Sequence, residues 1–262
     1  MKISIITTSY NSENSIKDTI ESVLTQNYKD FEHVIVDGGS KDNTLAIIKE
    51  YEPKYNGRLK YISEPDKGIY DAMNKGIRMA TGDVVGILNS DDFFSANNIL
   101  SSVVTNFSDG VEAVFGDVHY VNDSDLNRSV RKYSSANFKP AQMMMGFMPA
   151  HPSFYCKKEV FDKVGLYDPS FKIAADFEFL LRAIYINRIK TKYLPLDFVT
   201  MRAGGASSSG LKSHKTIFLE HLKAYRKNGV NSNAFLESLR YAYKLGDLTL
   251  FKIRQSLSKP TK

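Results

Sequence analysis

The sequence predicts an α/β protein in which a mostly parallel central sheet is flanked by helices. Short strand patterns alternate with helical patterns through the first half of the chain, which is typical of strand-helix-strand units. No internal repeat or low-complexity linker interrupts this alternation. With 262 residues, of which 42% are hydrophobic and 24% charged, the chain can bury a sizeable core. We therefore expect one α/β domain ending near residue 210 and a helical extension after it.

Four strands and three helices are predicted in the first hundred residues. They are a strand from Lys2 to Thr7, a helix from Glu13 to Thr25, a strand from Phe31 to Asp37, a helix from Asn43 to Tyr51, a strand from Leu59 to Ser63, a helix from Ile69 to Ala80 and a strand from Val84 to Leu88. Asn11 or Ser12 is the expected N-cap of the first helix, and Gly82 is the expected C-terminal cap of the third.

The second half has a less regular pattern. It predicts strands from Ala113 to Tyr120 and from Tyr193 to Met201, helices from Glu159 to Val164 and from Asp176 to Ile186, and a polar, turn-like segment from Asn122 to Arg131.

The extension, residues 211–262, is strongly basic. It carries 11 Lys or Arg residues against 3 Asp or Glu residues, a net charge of +8, whereas the whole chain is only +6. Apolar and aromatic side chains recur in it at helical spacing, at Ile217, Phe218, Leu222, Tyr225, Phe235, Leu239, Tyr243, Phe251 and Ile253. Such helices can lie on an anionic membrane, or they can pack on the core with solvated lysine faces. No motif for reading bases accompanies the charge, so a nucleic-acid partner is not expected.

Composition also indicates the cellular compartment in which we expect the protein. Cys156 is the single cysteine, so no internal disulfide can form, and a lone buried thiol fits the reducing cytoplasm. The first apolar run is too short for a signal peptide, and no run of roughly 18 apolar residues occurs. We expect a cytoplasmic protein that is soluble or peripheral on the plasma membrane.

Polar side chains follow each of the four predicted parallel strands. The carboxyl ends of such strands form the ligand-binding edge of an α/β sheet. At the fourth strand, Asp91 and Asp92 are adjacent carboxylates, which repel each other unless a cation or sugar hydroxyls lie between them. The alternative is that both residues only cap a helix beginning near Ala96.

Taken together, these strand ends resemble the inverting glycosyltransferases of family 2, which have the GT-A fold. The resemblance covers nearly the first hundred residues. The run from Glu64 to Gly76 and the sequence Asn89-Ser90-Asp91-Asp92 look particularly like the bacterial subgroup that builds colanic acid, O-antigen and capsule. It implies a nucleotide-sugar-binding half, residues 1–100, and an acceptor-binding half, residues 101–210.

The resemblance also implies roles for individual residues. It implies a nucleotide-sugar site formed by Thr7, Ser9, Tyr10, Asp37, Asp66, Asn74, Lys75, Asn89, Ser90, Asp91, Asp92 and Arg202. Asp91 matches the carboxylate that holds Mn²⁺ or Mg²⁺ against the diphosphate. Two positions depart from the pattern, because Asn89 stands where many members have Asp and Met73 where many have Arg. Arg202 is the expected phosphate contact, although Gly204 and the residues after it can equally be a plain linker.

Asp176 is the expected catalytic base. It lies in a segment that resembles the family's Glu-Asp motif, with Ala175 in place of the Glu. Because Asp176 opens an apolar helix, burial would raise its pKa and the helix dipole would lower it. A carboxylate there can take the proton of an acceptor hydroxyl, or it can serve merely as a helix N-cap. His151 and Glu178 are further candidates for acceptor contact, and both residues can equally be structural.

The expected activity is metal-dependent, inverting transfer of a hexose or N-acetylhexosamine. The donor would be a UDP-sugar and the acceptor a lipid-diphosphate-linked saccharide of a bacterial surface polysaccharide. One alternative is a sugar nucleotidyltransferase, although its glycine-rich N-terminal loop is missing. Another is a catalytically inactive relative that only binds nucleotide or carbohydrate, which Ala175 and Asn89 keep open.

Overall fold

The computed structural model describes residues 1–108, 110–204 and 210–241. The strands are β1 (Ile3–Ser9), β2 (Phe31–Asp37), β3 (Leu59–Ser63), β4 (Val84–Ile87), β5 (Phe93–Phe94), β6 (Ala113–Asn122), β7 (Asp125–Tyr133), β8 (Tyr155–Lys157) and β9 (Thr191–Arg202). The helices are α1 (Ile16–Leu24), α2 (Thr44–Tyr51), α3 (Ile69–Met79), α4 (Ile99–Val104), α5 (Glu159–Val164), α6 (Ala175–Leu180) and α7 (Leu211–Lys227). A π-helical turn, Leu181–Ile186, continues α6, and residues 234–241 are also helical.

The described strands form one curled sheet in the order β3-β2-β1-β4-β8-β6-β9-β5, and β7 pairs with β6. Strands β1 to β4 run parallel, with Ile6 opposite Val34 on one side and opposite Ile87 on the other. Strand β8 runs antiparallel to both of its neighbours, and β6 and β9 are parallel to each other. The carboxyl ends of β1 to β4 therefore meet at one edge, as the α/β prediction requires.

The core lies on both faces of this sheet because successive residues of a strand point to opposite sides. On β1, Ile5 packs in a cluster with Ile48 of α2, whereas Ile6 belongs to a cluster that contains Ile77 of α3. Gly86 of β4 has no room for a side chain, since a Cβ would lie 2.1 Å from the ring of Tyr155. Strand β4, at the end of the parallel part of the sheet, therefore packs closely against β8.

Several element boundaries differ from the prediction. The segment from Asn122 to Arg131 is predicted to be turn-like, but it forms most of β7. Strand β7 is exposed and, among the described strands, pairs with β6 alone. It therefore lacks the apolar alternation that marks a half-buried strand. Gly82 does not cap α3, which ends at Met79 with Ala80 as its C-cap. A Cβ on Gly82 would lie 2.8 Å from the Lys2 carbonyl oxygen, so this glycine permits close approach to the first strand. Helix α1 begins at Ile16 with Ser15 as its N-cap, later than expected.

The described part of the extension is helical and packs on the domain. Ala224 and Tyr225 of α7 are buried in the same core cluster as α6, while Leu219 and Phe235 are exposed. Tyr243, Phe251 and Ile253, also expected on helices, lie outside the described residues. Within the described ranges, no helix is both long and apolar enough to cross a membrane.

Candidate active site

A cavity of about 630 Å³ opens where the carboxyl ends of β1 and β4 meet the start of α6. Ten of the fifteen residues singled out from the sequence line it: Ser9, Tyr10, Asp66, Asn89, Ser90, Asp91, Asp92, His151, Asp176 and Arg202. Lining residues that sequence reasoning did not single out include Asn11, Ser12, Tyr70, Tyr120 and Lys172. Segments that are far apart in the chain therefore share one polar cavity.

Three of the other five residues have structural partners instead. Thr7 is fully buried, and its hydroxyl donates to the carbonyl of Leu88 at 2.7 Å. The side-chain amide of Asn74 is hydrogen-bonded to the backbone of Tyr167. It donates to the Tyr167 carbonyl oxygen at 2.8 Å and accepts from the Tyr167 nitrogen at 3.0 Å. Glu178 is fully buried and paired with Arg182 at 2.9 Å. The nucleotide contacts expected of Thr7 and Asn74, and the acceptor contact expected of Glu178, find no support in this geometry.

Asp37 and Lys75 also lie off the cavity wall. The Asp37 carboxylate accepts hydrogen bonds from the Ser63 hydroxyl at 2.6 Å and from the Ser40 backbone nitrogen at 3.0 Å, so it organises the turn after β2. Lys75 is paired with Glu64 at 2.8 Å on the outer side of α3. Both residues thus stabilise segments next to the cavity and do not line it.

The two carboxylates after β4 lie in a desolvated environment. Asp92 is 2% exposed, and burial, together with the charge of Asp91, holds its pKa well above the ordinary value. Burial also raises the pKa of Asp91. Helix α4 starts only at Ile99, with Asn98 as its N-cap and no side-chain cap bond. The capping alternative for Asp91 and Asp92 is therefore wrong.

The chemistry of this pair suits a hard divalent cation. The described residues contain no group of three or more His, Cys, Asp or Glu side chains that could hold a metal by themselves. Mg²⁺ sites commonly use one or two carboxylates and complete the shell with water and substrate phosphates, and Mn²⁺ shares this preference for oxygen ligands. Two adjacent acidic side chains whose charged forms are destabilised by burial and mutual repulsion fit that arrangement.

Arg202, at the end of β9, supplies a positive charge that acts on both carboxylates of this pair. Its guanidinium forms ion pairs with Asp18 and, at 2.8 Å, with Asp123. Its charge lowers the pKa of Asp91 and of Asp92, against the larger effect of burial. Within the described structure its Nε makes no hydrogen bond. Asp18 and Asp123 thus hold Arg202 at the cavity, and no sequence pattern links these two partners to it.

Asp176 reaches the cavity from the first turn of α6. Its Oδ1 accepts a hydrogen bond from the Phe177 backbone nitrogen at 2.8 Å and one from the Tyr70 hydroxyl at 3.4 Å. Burial outweighs these bonds and raises the pKa of Asp176 to about 6. The N-cap residue of α6 is Ala174, so the N-cap alternative for Asp176 is wrong.

His151 contributes a neutral imidazole to the lining of the same cavity. Its Nε2 lies 2.8 Å from the Tyr167 hydroxyl, and burial lowers its pKa to about 4. A neutral ring can exchange hydrogen bonds with a substrate hydroxyl without adding charge. Tyr70 and Tyr167, which meet near Asp176, were not singled out from the sequence because each is one tyrosine among 15.

Comparison with known proteins identifies the family of this chain. Residues 4–173 match the family model described as glycosyl transferase family 2. This chain belongs to glycosyltransferase family 2. An uncharacterized glycosyltransferase of Mycobacterium tuberculosis is 36% identical over 188 residues, which cover 70% of this chain and 69% of that protein.

Solved structures show that this family 2 chain has the expected GT-A fold. Residues 1–349 of TarS from S. aureus, in complex with UDP-GlcNAc, align with a TM-score of 0.64 at 22% identity, covering 84% of this chain and 66% of that one. The mannosyltransferase PcManGT from Pyrobaculum calidifontis, in complex with GDP-Man and Mn²⁺, aligns with a TM-score of 0.63 at 17% identity, covering 99% and 76%. The α/β prediction and the family resemblance are both confirmed, whereas the bacterial polysaccharide subgroup stays a prediction.

Proposed function

We propose that this glycosyltransferase is a metal-dependent, inverting hexosyl- or N-acetylhexosaminyltransferase that uses a UDP-sugar. One observation carries the proposal: an acidic side chain with a pKa of about 6, Asp176, faces the same cavity as the Asp91 and Asp92 pair. One wall thus offers a base matched to neutral pH, and another offers hard oxygen ligands beside a cationic side chain.

The donor would bind along the ends of β1 and β4. Tyr10 is 63% exposed at the rim, where its ring can stack on a nucleobase, and Ser9 and Asp66 offer hydrogen-bonding groups beside it. Asn89, Ser90 and Asp92 would face the ribose and the donor sugar. Arg202, which lines the cavity beside Asp91 and Asp92, would contact the diphosphate.

The proposed reaction is a single displacement. Asp176 takes the proton of the acceptor hydroxyl while that oxygen forms a bond to the anomeric carbon. The bond between that carbon and the UDP oxygen breaks at the same time, so UDP leaves with the bonding electrons and the configuration inverts. His151, held neutral by burial, lies where it can orient the acceptor hydroxyl.

Asp91 would hold Mn²⁺ or Mg²⁺, with Asp92 beside it. When bound, such an ion supplies charge neutralisation for the departing diphosphate. The ion would also stabilise the ionised carboxylates, because it offsets the repulsion between the half-buried Asp91 and the buried Asp92. TarS and PcManGT, which share this fold, were solved with UDP-GlcNAc and with GDP-Man and Mn²⁺, and these complexes support a nucleotide-sugar donor and a divalent ion here.

The acceptor would be a lipid-diphosphate-linked saccharide at the inner face of the bacterial plasma membrane, within O-antigen, capsule or exopolysaccharide synthesis. Support comes from the basic extension, which presents exposed Leu219 and Phe235 among lysines and arginines. The extension would keep a cytoplasmic enzyme next to its membrane-borne acceptor.

Calorimetry tests the donor half of this proposal. UDP, GDP, CDP and dTDP would each be titrated into wild type and Asp91→Ala, with and without Mn²⁺. We expect UDP to bind best, to need Mn²⁺ and to lose at least about tenfold in affinity in the variant. Absence of nucleotide binding under every condition would overturn the proposal and favour the inactive relative.

A further inference from the structure

Glu220 of α7 makes an unusual set of contacts for a helical glutamate. Its carboxylate accepts hydrogen bonds from three consecutive backbone nitrogens, those of Lys172 at 2.7 Å, Ile173 at 3.0 Å and Ala174 at 2.9 Å. The side chain is almost completely buried, with 9% of the residue exposed. One carboxylate from the extension therefore fixes the conformation of a whole turn of the domain.

That turn carries the proposed base. Ala174 is the N-cap of α6, and Asp176 follows two residues later. Lys172 and Ile173 themselves line the cavity. The Tyr70 hydroxyl donates to the Ile173 carbonyl and lies 3.4 Å from Asp176 Oδ1, so the turn and the base share one partner on α3. Movement of the turn would displace Asp176 relative to the cavity.

Glu220 also acts on Asp176 through charge. Burial raises the pKa of Asp176, the Phe177 and Tyr70 hydrogen bonds lower it, and the charge of Glu220 raises it further. The other titratable groups that face Asp176 are Tyr70 from α3 and Tyr167 from the loop after α5, both kept protonated by burial. Lys172 and His151 line the same cavity, and His221 of α7 stacks on Phe177 at 3.7 Å.

We propose that Glu220 is a positioning residue for Asp176: by accepting the three backbone hydrogen bonds it holds the turn that directs the base into the cavity. This inference rests on the proposed function only in calling Asp176 a base. The physical coupling between Glu220 and Asp176 is a property of the fold.

The coupling can be measured without activity. Aspartate carboxyl carbons labelled with ¹³C would be titrated by NMR, with Asp176→Asn assigning the signal. We expect a midpoint near pH 6 in wild type and a midpoint lower by about half a unit or more in Glu220→Gln. Glu237→Gln is the matched control, since it removes another buried carboxylate of the extension, bonded to Tyr225 at 2.9 Å, and is expected to leave the midpoint unchanged. An equal midpoint in wild type and Glu220→Gln would overturn the proposal.

Kinetics then separates this inference from the proposed function. In Glu220→Gln, kcat should fall between about tenfold and a hundredfold with UDP affinity unchanged, and the acid limb of the rate profile should move to lower pH with the NMR midpoint. An NMR shift with no matching shift of the rate profile would uphold the coupling and overturn Asp176 as the base. If Glu220→Gln does not fold, Glu220→Asp, which keeps the charge on a shorter side chain, should lower kcat with a midpoint near that of wild type. Unchanged kcat in Glu220→Asp would then overturn the positioning role.

Discussion

At the residue scale, Asp176 shows how opposing effects set a proton affinity. Its hydrogen bonds with Phe177 and Tyr70 stabilise the charged form, whereas burial and the nearby Glu220 destabilise it. The balance gives a pKa of about 6, so the group is mostly ionised at neutral pH yet still basic enough to accept a proton. An exposed aspartate would be a much weaker base.

The substitution Asp176→Asn should abolish transfer while leaving donor binding intact. An amide cannot take the acceptor proton, and general-base catalysis contributes about 10²- to 10⁴-fold, so kcat should fall by at least about 10²-fold. Single-turnover transfer and calorimetric UDP binding would check both parts. Full activity in this variant would exclude Asp176 as the base.

The same variant has a predictable effect on stability. Because folding raises the pKa of Asp176 above its unfolded value, folding favours the protonated form. The stability contribution of this group is therefore fully present below about pH 4 and is lost as the pH rises through about 6. Asp176→Asn should thus gain thermal stability relative to wild type at pH 8 but not at pH 4. Scanning calorimetry at both pH values measures this difference, and an equal difference at both would contradict it.

The transfer rate of wild type should rise with pH, whereas the stability contribution of Asp176 falls with pH. The rate requires the ionised carboxylate, so kcat/KM should fall about tenfold per unit as the pH drops below about 6. His151 should not contribute to this limb, since burial keeps it neutral down to a pH of about 4. A rate profile that is flat between pH 5 and 7 would show that no group of this pKa limits the reaction.

At the element scale, α3 connects the parallel strands with the loop after α5. Its cavity face presents Tyr70 and Met73, while Asn74 binds the backbone of Tyr167 through both ends of its amide. Strand β1 packs directly beneath, since a Cβ on Gly76 would lie 2.4 Å from the Ile6 side chain. The helix is therefore fixed from two sides, which holds Tyr70 close to Asp176.

Asn74→Ala should destabilise the fold rather than weaken nucleotide binding directly. It would leave a buried carbonyl and a buried nitrogen of Tyr167 without partners, at a cost of about 1–3 kcal/mol. Urea unfolding would measure the loss. Lys75→Ala, at the neighbouring and partly exposed position, is the control: it removes an ion pair with the exposed Glu64 and should stay within about 0.5 kcal/mol of wild type. Equal stability of Asn74→Ala and wild type would show that the contact with Tyr167 contributes little.

At the scale of the whole molecule, charge and chemistry are segregated. Four aspartates line the cavity, whereas residues 211–262 carry a net charge of +8 in a chain whose total is +6, and this extension contacts the domain through α7. The buried Ala224 and Tyr225 fasten α7 to the core, and Glu220 links it to the turn before α6. The extension thus contacts the turn that carries Asp176.

Membrane contact through the extension should depend on charge and salt. Binding to vesicles that contain phosphatidylglycerol should exceed binding to neutral vesicles, and it should fall at least about tenfold between roughly 0.05 and 0.5 M salt. Phe235→Ser should weaken binding because this apolar residue of the basic extension is 71% exposed. Ile186→Ser, which changes an exposed apolar residue outside the extension, is the control. Equal sedimentation with both kinds of vesicle would exclude an electrostatic membrane role.

The sequence by itself determined the alternation of strands and helices in the first half and the polar residues at the strand ends. These features are local, since period-two and period-3.6 patterns record which face of an element is buried. They sufficed for the fold class, and the family resemblance that they support added fifteen site residues, of which ten line the cavity. Asp91, Asp92 and Asp176 could be singled out because each lies beside a recognisable apolar segment.

Only the tertiary structure decided which polar side chains face the cavity and which ones satisfy the backbone behind it. Thr7 and Asn74 have the same chemistry as cavity residues, yet their partners, Leu88 and Tyr167, lie 81 and 93 residues away. The contact between Glu220 and the turn before Asp176 spans 46 to 48 residues and leaves no periodic trace. Long-range hydrogen bonds and burial set these roles, because the desolvation that fixes a pKa depends on how the whole chain packs.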